Sequence, residues 1–315
     1  MKIAIQMDPL EGLHEKYDST LYLARAAALR GYELFHYGPQ GLRVDIEDGN
    51  ARVTASGHSL IFKPDEEDIW MLGFPQERAL EEFDVILMRQ DPPFDMGYID
   101  ATHILELVKG PRIVNDPVGV RNAPEKLLIT HFPQLMPPTL ISSDRKALEE
   151  FRLAYGDIII KPLNGYAGHG VFHLRSGDDN LPALIETMAA LTNEPLMAQK
   201  FLPVTTLGDK RIVLLDGEPV GCFRRMPKHG DIRGNMRVGA KPEAAAMTKR
   251  DEEICRTLAP ELKKRGLFLC GLDVIGDYLT EINVTSPTGL AVADELAGVE
   301  WKDSIAEKFW DKILS

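Results

Sequence analysis

Residues 271–287 constrain the fold most, because they fit one pattern well: a β-hairpin with polar side chains on one face. On a strand, successive side chains point to opposite faces, so Glu281 and Asn283 share a face. A three-residue turn at Gly276-Asp277-Tyr278, with glycine for bulge geometry, places Asp273 opposite Glu281 and turns the intervening aliphatic side chains toward a core. A two-residue turn would move Asp273 to the other face.

The oxygen atoms predicted on this face suit a divalent cation. Mg²⁺ prefers oxygen ligands, keeps several waters and takes phosphates as its remaining ligands. Asp273, Glu281 and Asn283 are therefore candidate metal ligands of a metal–nucleotide enzyme. The alternative is that they form the polar outer face of an ordinary hairpin.

Composition limits the class of protein to which the chain can belong. With 315 residues, 44% of them apolar, the chain can form two or three domains with buried cores. Its net charge of -12 disfavours a duplex nucleic acid as partner. Its apolar runs are too short for a signal peptide or for a membrane helix of about 20 residues. We expect a soluble, cytoplasmic protein that binds neither nucleic acid nor membranes.

The three cysteines give no sign of a shared site. Cys222, Cys255 and Cys270 are scattered and lack the spacing of metal ligands. They fit either reduced thiols of a cytosolic protein or simple packing residues.

Strands and helices alternate up to about residue 122, which predicts an N-terminal parallel α/β domain. Residues 44–61 are rich in turn formers and are expected to hold only short strands. In parallel sheets, ligands bind beyond the carboxyl ends of the strands, where Asp8 and Arg89-Gln90-Asp91 are predicted to lie. The predicted strands are Lys2 to Met7, Glu33 to Tyr37, Asp84 to Arg89 and Arg112 to Asn115, and the predicted helices are Ser19 to Arg30 and Ile99 to Val108.

The remainder of the chain is predicted to be of the α+β class. A helix is expected to start near Pro124, with Asn122 as its N-cap. The later strands, on either side of the Asp216-Gly217 turn, predict an antiparallel sheet. The predicted helices are Asp144 to Tyr155, Leu181 to Leu191, Thr248 to Arg265 and Trp301 to Leu314, and the predicted strands are Asp157 to Lys161, Val171 to Leu174, Leu196 to Leu202, Lys210 to Leu215 and Val220 to Arg225.

A glycine-rich loop at residues 164–170 connects two predicted strands and follows Lys161. Its glycines, Gly165, Gly168 and Gly170, would let backbone N–H groups approach phosphate oxygens, and Lys161 would add a positive charge. Because a strand follows, the loop is neither a Walker A loop nor a dinucleotide fingerprint. A flexible hairpin turn is the alternative.

Three more cations are candidates for binding an anionic substrate. Lys126 lies early in a predicted helix, Arg211 starts a strand, and Arg233 lies in the polar stretch 226–241. Stretches of this kind are lids or disordered connections. Arginine suits planar oxyanions because it forms bidentate hydrogen bonds. The alternative for each residue is an exposed side chain or a surface ion pair.

Taken in order, these motifs resemble those of bacterial glutathione synthetases, which belong to the ATP-grasp superfamily. The resemblance covers essentially the whole chain. Its most specific elements are Arg89-Gln-Asp-Pro-Pro-Phe-Asp95 and Glu281-Ile-Asn-Val-Thr-Ser-Pro-Thr288. It implies an N-terminal substrate domain at 1–122, followed by a two-part ATP-grasp fold with a lid subdomain at 123–202 and a catalytic subdomain at 203–315.

The resemblance also implies residue roles. Lys126, Lys161 and the loop from Gly165 to Gly170 would bind the phosphates of ATP, and Asp209 would face the ribose. The connector with Gln199, Lys200, Phe201 and Leu202 would offer backbone groups to adenine. Asp273, Glu281 and Asn283 would hold two Mg²⁺ ions, with Mn²⁺ as a substitute. Arg211 and Arg233 would lie near the acyl phosphate, and Asp8, Arg89 and Ser286 would hold the ends of the substrate.

The resemblance implies an enzyme that joins γ-glutamylcysteine to glycine through an acyl phosphate, at the expense of ATP, and that assembles as a dimer or tetramer. The rivals are another ATP-grasp ligase, of the D-alanine–D-alanine or glutamate-adding type, and a non-catalytic nucleotide-binding module. The chain departs from the expected pattern at Leu290-Ala-Val-Ala293, where charged residues are expected. One contact to a substrate terminus is therefore expected to be missing or rearranged.

Overall fold

A computed structural model describes residues 1–14, 17–64, 69–191 and 194–314. Within these ranges the chain forms three β-sheets and ten α-helices. The helices are α1 (Ser19–Leu29), α2 (Met96–Glu106), α3 (Pro117–Arg121), α4 (Glu125–Leu128), α5 (Arg145–Tyr155), α6 (Leu181–Leu191), α7 (Val204–Leu207), α8 (Lys249–Lys264), α9 (Leu290–Ala297) and α10 (Ile305–Leu314).

The first sheet contains the predicted parallel core. Strand β1 pairs in parallel with β2 and β6, and β6 pairs in parallel with β7. Three further strands extend this core in antiparallel pairing through β4. The strands are β1 (Lys2–Gln6), β2 (Glu33–Tyr37), β3 (Leu42–Glu47), β4 (Asn50–Phe62), β5 (Trp70–Ala79), β6 (Val85–Met88) and β7 (Arg112–Val114).

The antiparallel extension corrects the sequence prediction. Residues 44–61 were expected to hold short strands, but β4 is 13 residues long, and β5, with 10 residues, was not predicted. Many side chains of β3 and β5 are half-buried or exposed, and Phe74 is 89% exposed. Strand β5 therefore lacks the alternation of apolar and polar residues by which strands are recognised, whereas the six residues of β3 alternate strictly.

The other two sheets are antiparallel, and this pairing was predicted only for the third sheet, whose strands flank the Asp216-Gly217 turn. The second sheet has the order β10-β9-β11-β8, and the third has the order β14-β13-β12-β15-β16. The strands are β8 (Thr139–Ser142), β9 (Ile158–Pro162), β10 (Phe172–Leu174), β11 (Leu196–Lys200), β12 (Asp209–Leu215), β13 (Glu218–Met226), β14 (Lys241–Ala244), β15 (Leu269–Ile275) and β16 (Tyr278–Asn283).

The hairpin of β15 and β16 has the predicted register but not the predicted turn. Asp273 lies opposite Glu281, yet Ile275 pairs with Tyr278, so the turn has two residues. A β-bulge at Thr280 supplies the extra residue, because Asp273 pairs with Glu281 while Val274 pairs with Leu279. A two-residue turn alone would place Asp273 on the face opposite to Glu281 and Asn283. The bulge returns Asp273 to the same face as these two residues.

Among the described residues, buried apolar clusters join the first and third sheets, and neither cluster includes a side chain of the second sheet. Two clusters of buried residues each contain side chains from both of these sheets, such as Ile86 with Leu272 and Leu87 with Val213. The second sheet packs on its own cluster, which includes Leu148 of α5 and Ile160 of β9. The second sheet is therefore a separately packed unit.

Asn122 does not have the predicted role. It ends α3, where its side chain donates to the Val118 carbonyl at 2.9 Å, and α4 starts after Pro124 without a side-chain cap. The predicted C-terminal helix is shorter than expected, because residues Trp301–Asp303 form a 3₁₀ turn before α10. Among the described residues, no helix has the length and apolar character needed to cross a bilayer.

Candidate active site

A cavity of about 910 Å³ lies between the glycine-rich loop, the hairpin and the loop after β13. This volume falls in the upper range of ligand pockets, which is roughly 300–1,000 Å³. Most of the predicted site residues line the cavity. They are Lys126, Lys161, Gly165, Gly168, Gln199, Lys200, Phe201, Leu202, Asp209, Arg211, Arg233, Asp273, Glu281, Asn283 and Ser286.

Three predicted residues are not brought to the cavity wall. Gly170 ends the glycine-rich loop with φ +70. Asp8 accepts a hydrogen bond from the Asp91 N–H at 2.7 Å. Arg89 is buried and donates to Thr20 Oγ1 at 3.1 Å and to the Pro287 carbonyl at 3.0 Å. Arg89 thus supports the segment beside Ser286 from behind, and its direct contact with a substrate stays a prediction.

Two lysines lie at the phosphate end predicted for the cavity. Lys126 Nζ is 3.2 Å from Glu281 Oε1 and donates to the Gly165 carbonyl. Lys161 Nζ lies 3.4 Å from the carbonyl of the bulged residue Thr280. Burial lowers the pKa of Lys161 to about 8, although the charge of Glu281 opposes this shift. A bound polyphosphate would favour the charged form of Lys161, because a nearby anion stabilises a buried ammonium group.

A buried cluster of charges joins β12, β13 and β15. Asp273 Oδ1 lies 2.8 Å from Arg211 Nε and 2.9 Å from Arg225 Nη2. Arg225 also pairs with Asp209. Burial opposes ionisation of Asp273, but the two guanidinium groups outweigh it and hold the pKa of its carboxyl below its usual value. The cluster is thus preorganised around a charged Asp273.

The hairpin face offers the oxygen ligands that a divalent cation prefers. Asp273, Glu281 and Asn283 all line the cavity, and Asp273 and Glu281 are direct cross-strand partners. Asn283 Nδ2 donates to the Gly271 carbonyl at 3.2 Å, so this amide presents its oxygen as the acceptor. Two carboxylates and one amide oxygen fit Mg²⁺ or Mn²⁺.

The connector, which consists of the last two residues of β11 and the two residues after it, lines another side of the cavity. The N–H groups of Lys200 and Phe201 donate to the carbonyls of Pro138 and Asp157, both at 2.9 Å. These two N–H groups are therefore not free for the predicted contact with adenine, which would have to use other backbone groups of the connector. The Phe201 ring stacks on His173, with centroids 4.1 Å apart and planes at 15°. This stacking fixes the connector against β10.

The loop after β13 folds over the cavity. Arg233 pairs with Asp231 at 2.7 Å, and this contact lowers the pKa of Asp231 to about 2. Gly234 packs so closely on Asp209 that a Cβ at 234 would lie 2.5 Å from the Asp209 Cβ. Arg237 pairs with Asp91, which lies in the loop after β6. The loop therefore connects the third sheet with the loop that follows β6.

Gly234→Ala is expected to lower kcat/KM about tenfold, because the added methyl group clashes with Asp209 when the loop is closed. Asp209 has little freedom to move, since it is buried and paired with Arg225. Overpacking of this kind costs about 1–3 kcal/mol. Steady-state assays check the effect, with His229→Ala, an exposed truncation in the same loop, as the control. Wild-type kinetics for Gly234→Ala would show that this contact is not made during turnover.

Sequence reasoning missed Glu125, Arg225 and the pair Asp91–Arg237. Arg225 is opposite Asp209 in the ladder of β12 and β13 only because a bulge between Val213 and Leu214 shifts the register by one. Counting outward from the Asp216-Gly217 turn would have paired Asp209 with Arg224. Pairing of Asp91 with Arg237 joins residues 146 positions apart, and no local pattern signals it.

Comparison with known proteins assigns the family. Residues 1–121 match the N-terminal domain of prokaryotic glutathione synthetase, and residues 125–298 match its ATP-grasp domain. The glutathione synthetase of Brucella melitensis is 48% identical over 314 residues, which cover 99% of this chain and 98% of that protein. The glutathione synthetase of Mesorhizobium japonicum is 45% identical with the same coverage.

Solved structures agree on the fold. D-cycloserine synthetase matches with a TM-score of 0.69 at 13% identity, covering 100% of both chains. D-alanyl-alanine synthetase A of Vibrio cholerae matches with a TM-score of 0.63 at 13% identity, covering 100% of this chain and 98% of that one. These likenesses confirm the predicted ATP-grasp fold. With both family domains matched and relatives this similar over their full length, the chain belongs to the prokaryotic glutathione synthetase family.

Proposed function

We propose that this enzyme joins γ-glutamylcysteine to glycine and converts ATP to ADP and phosphate, giving glutathione. The family assignment supports an ATP-dependent ligase of this kind. The observation that carries the site assignment is the hairpin register, which puts Asp273 opposite Glu281 on the cavity wall. Lysines and arginines converge on the same cavity and would offset the charge of a triphosphate.

The reaction would proceed in two displacements without a protein nucleophile. A carboxylate oxygen of γ-glutamylcysteine attacks the γ-phosphorus of ATP, the bond to the β-phosphate oxygen breaks, and ADP leaves. The glycine amine then attacks the acyl carbon, phosphate leaves with the electron pair of the C–O bond, and the amine proton goes to solvent. Lys126 and Lys161 orient the phosphates, and Arg211 and Arg233 stabilise negative charge on the transferring group.

Asp273, Glu281 and Asn283 would hold Mg²⁺, or Mn²⁺ in its place, when nucleotide is bound. The ion would neutralise charge on the β- and γ-phosphates. The loop that carries Arg233 and Gly234 would exclude water from the acyl phosphate, which hydrolysis would otherwise destroy. The connector at Gln199 to Leu202 would bind adenine, and Asp209 would face the ribose.

We also propose the coarser organisation that the resemblance implies. Residues 1–122 would form the substrate domain, 123–202 the lid subdomain and 203–315 the catalytic subdomain. The separate core of the second sheet supports a lid that moves as a unit from β8 onward, whereas Leu128, Ile129 and Leu135 pack in the core shared by the first and third sheets. The protein would act in the cytoplasm as a homo-oligomer.

The deciding experiment measures ADP release with ATP, Mg²⁺ and defined substrate pairs. We expect turnover with γ-glutamylcysteine plus glycine, formation of glutathione by mass spectrometry, and background release with either substrate alone. Asn283→Ala protein, purified in parallel, controls for contaminating ATPases. Turnover with D-alanine instead would assign the chain to another ligase activity, and nucleotide binding without turnover of any pair would make it a binding module.

A further inference from the structure

Glu125 lies on the cavity wall at the start of α4 and holds the chain where it leaves the hairpin. Its Oε1 accepts three hydrogen bonds, from the Val284 N–H at 3.0 Å, the Thr285 N–H at 3.2 Å and Thr285 Oγ1 at 2.8 Å. Strand β16 ends at Asn283, so these N–H groups lie beyond the ladder and need another acceptor. Glu125 supplies it.

The peptide groups around Val284 are held from two sides. While Glu125 accepts from the Val284 N–H, the buried side chain of Asn115 donates to the Val284 carbonyl at 2.8 Å. Asn115 also bonds the backbone of Leu269, which is the first residue of β15. The residue that follows Asn283 is therefore fixed by side chains from outside the hairpin.

The neighbour of Glu125 in sequence contacts the same hairpin. Lys126 pairs with Glu281, two residues before Asn283, while Glu125 binds the residues just after Asn283. Two consecutive side chains of α4 thus bind the chain on either side of Asn283, one within β16 and one just after it. A short helix of four residues has little stability alone, so these polar contacts and its packing hold it in place.

We infer that Glu125 is a positioning residue for the ligation reaction: its carboxylate sets the orientation of Asn283 and of the Ser286 segment without contacting substrate itself. The inference rests on the proposed role of the hairpin in binding metal and nucleotide. Groups that orient a metal ligand from behind typically change metal affinity or activity by about 10–100-fold when removed. Asn283 and Ser286 line the cavity on either side of the two residues that Glu125 holds.

The test compares Glu125→Ala, Glu125→Gln and Thr285→Val. Glu125→Ala removes all three hydrogen bonds and is expected to raise the Mg²⁺ concentration for half-maximal activity about tenfold, with a similar fall in kcat. Glu125→Gln keeps an acceptor oxygen and is expected to restore most of the loss. Thr285→Val removes one bond of the three and is expected to have an effect of about threefold. Glu149→Ala, which breaks an exposed pair with Arg145, serves as the matched surface control.

A readout besides activity is calorimetric binding of a non-hydrolysable ATP analogue as a function of Mg²⁺. We expect Glu125→Ala to weaken this binding about tenfold and to leave binding without Mg²⁺ unchanged. The inference is overturned if Glu125→Ala lowers only the Tm, with an unchanged Mg²⁺ dependence, or if Glu125→Gln is as impaired as alanine. Should Glu125→Ala fail to fold, Thr285→Val decides, and wild-type Mg²⁺ dependence in that variant overturns the inference.

Asn283→Ala separates this inference from the proposed function on which it rests. A changed Mg²⁺ dependence in Asn283→Ala, with none in Glu125→Ala, rejects the role of Glu125 alone. An unchanged dependence in both variants rejects the metal assignment of the hairpin and the inference with it.

Discussion

Asp273→Asn is expected to need about tenfold more Mg²⁺ for half-maximal activity and to turn over roughly 10²-fold more slowly. The substitution removes a negative charge from the hairpin face and keeps the volume of the side chain. It also leaves Arg211 and Arg225 without the carboxylate that both contact. Breaking a buried ion pair by removing one partner costs about 3–5 kcal/mol, so the free energy of unfolding should fall as well.

Glu281→Gln is the matched control for Asp273→Asn. It removes a charge from the facing strand but breaks a pair with Lys126 rather than the arginine cluster. We therefore expect a comparable shift in Mg²⁺ dependence with a smaller loss of stability. Mg²⁺ titrations well below each Tm, with unfolding followed by circular dichroism, separate the two effects. An unchanged Mg²⁺ titration in Asp273→Asn would make Asp273 an ion-pair partner and not a metal ligand.

Arg233→Ala is expected to lower kcat by roughly 10²–10³-fold and to change the KM for ATP by less than about threefold. The proposed role of Arg233 is to stabilise charge that develops during phosphoryl transfer, which the bound nucleotide does not yet carry. Its side chain is 33% exposed and packs beside Gly168, where a Cβ would lie 3.1 Å from Arg233 Cδ. Arg233 therefore lies on the cavity wall beside the glycine-rich loop that is proposed to bind the phosphates.

Asp231→Ala tests whether the ion pair itself matters. It removes the partner of Arg233 but leaves the guanidinium in the loop, so we expect a loss of kcat no larger than about tenfold. Steady-state kinetics with ATP as the varied substrate measure both variants. Equal losses of kcat and of ATP affinity in Arg233→Ala would contradict the proposed role, because they would indicate ground-state binding of the nucleotide.

The sequence predicted the hairpin face correctly although one step of the reasoning was wrong. The turn has two residues and not three, and the bulge at Thr280 compensates. The bulge also leaves the Thr280 carbonyl within 3.4 Å of Lys161 Nζ, while its hydroxyl donates to the Asp273 carbonyl at 3.0 Å. Periodicity predicts which side chains share a face, but turn length and bulges depend on contacts made by residues far away in sequence.

Other features of the structure could not be predicted from local sequence patterns. The N-terminal parallel core followed from continuous apolar runs, whereas β4 and β5 carry mixed side chains that gave no such signal. Glu125 was passed over because its importance comes from contacts with residues 159 and 160 positions away. Local sequence thus predicts elements and candidate cations, and the tertiary structure determines which charges neutralise one another.

The separate packing of the second sheet determines which interactions must break when the cavity opens on the side of the proposed nucleotide site. Parting the first and third sheets would wet two shared apolar cores, at roughly 25 cal/mol per Å² exposed. Swinging the second sheet away instead breaks contacts such as those of Lys161 with Thr280 and Lys126 with Gly165. We therefore expect release of nucleotide from the proposed site to depend on charge and dielectric screening more than on the exposure of apolar surface.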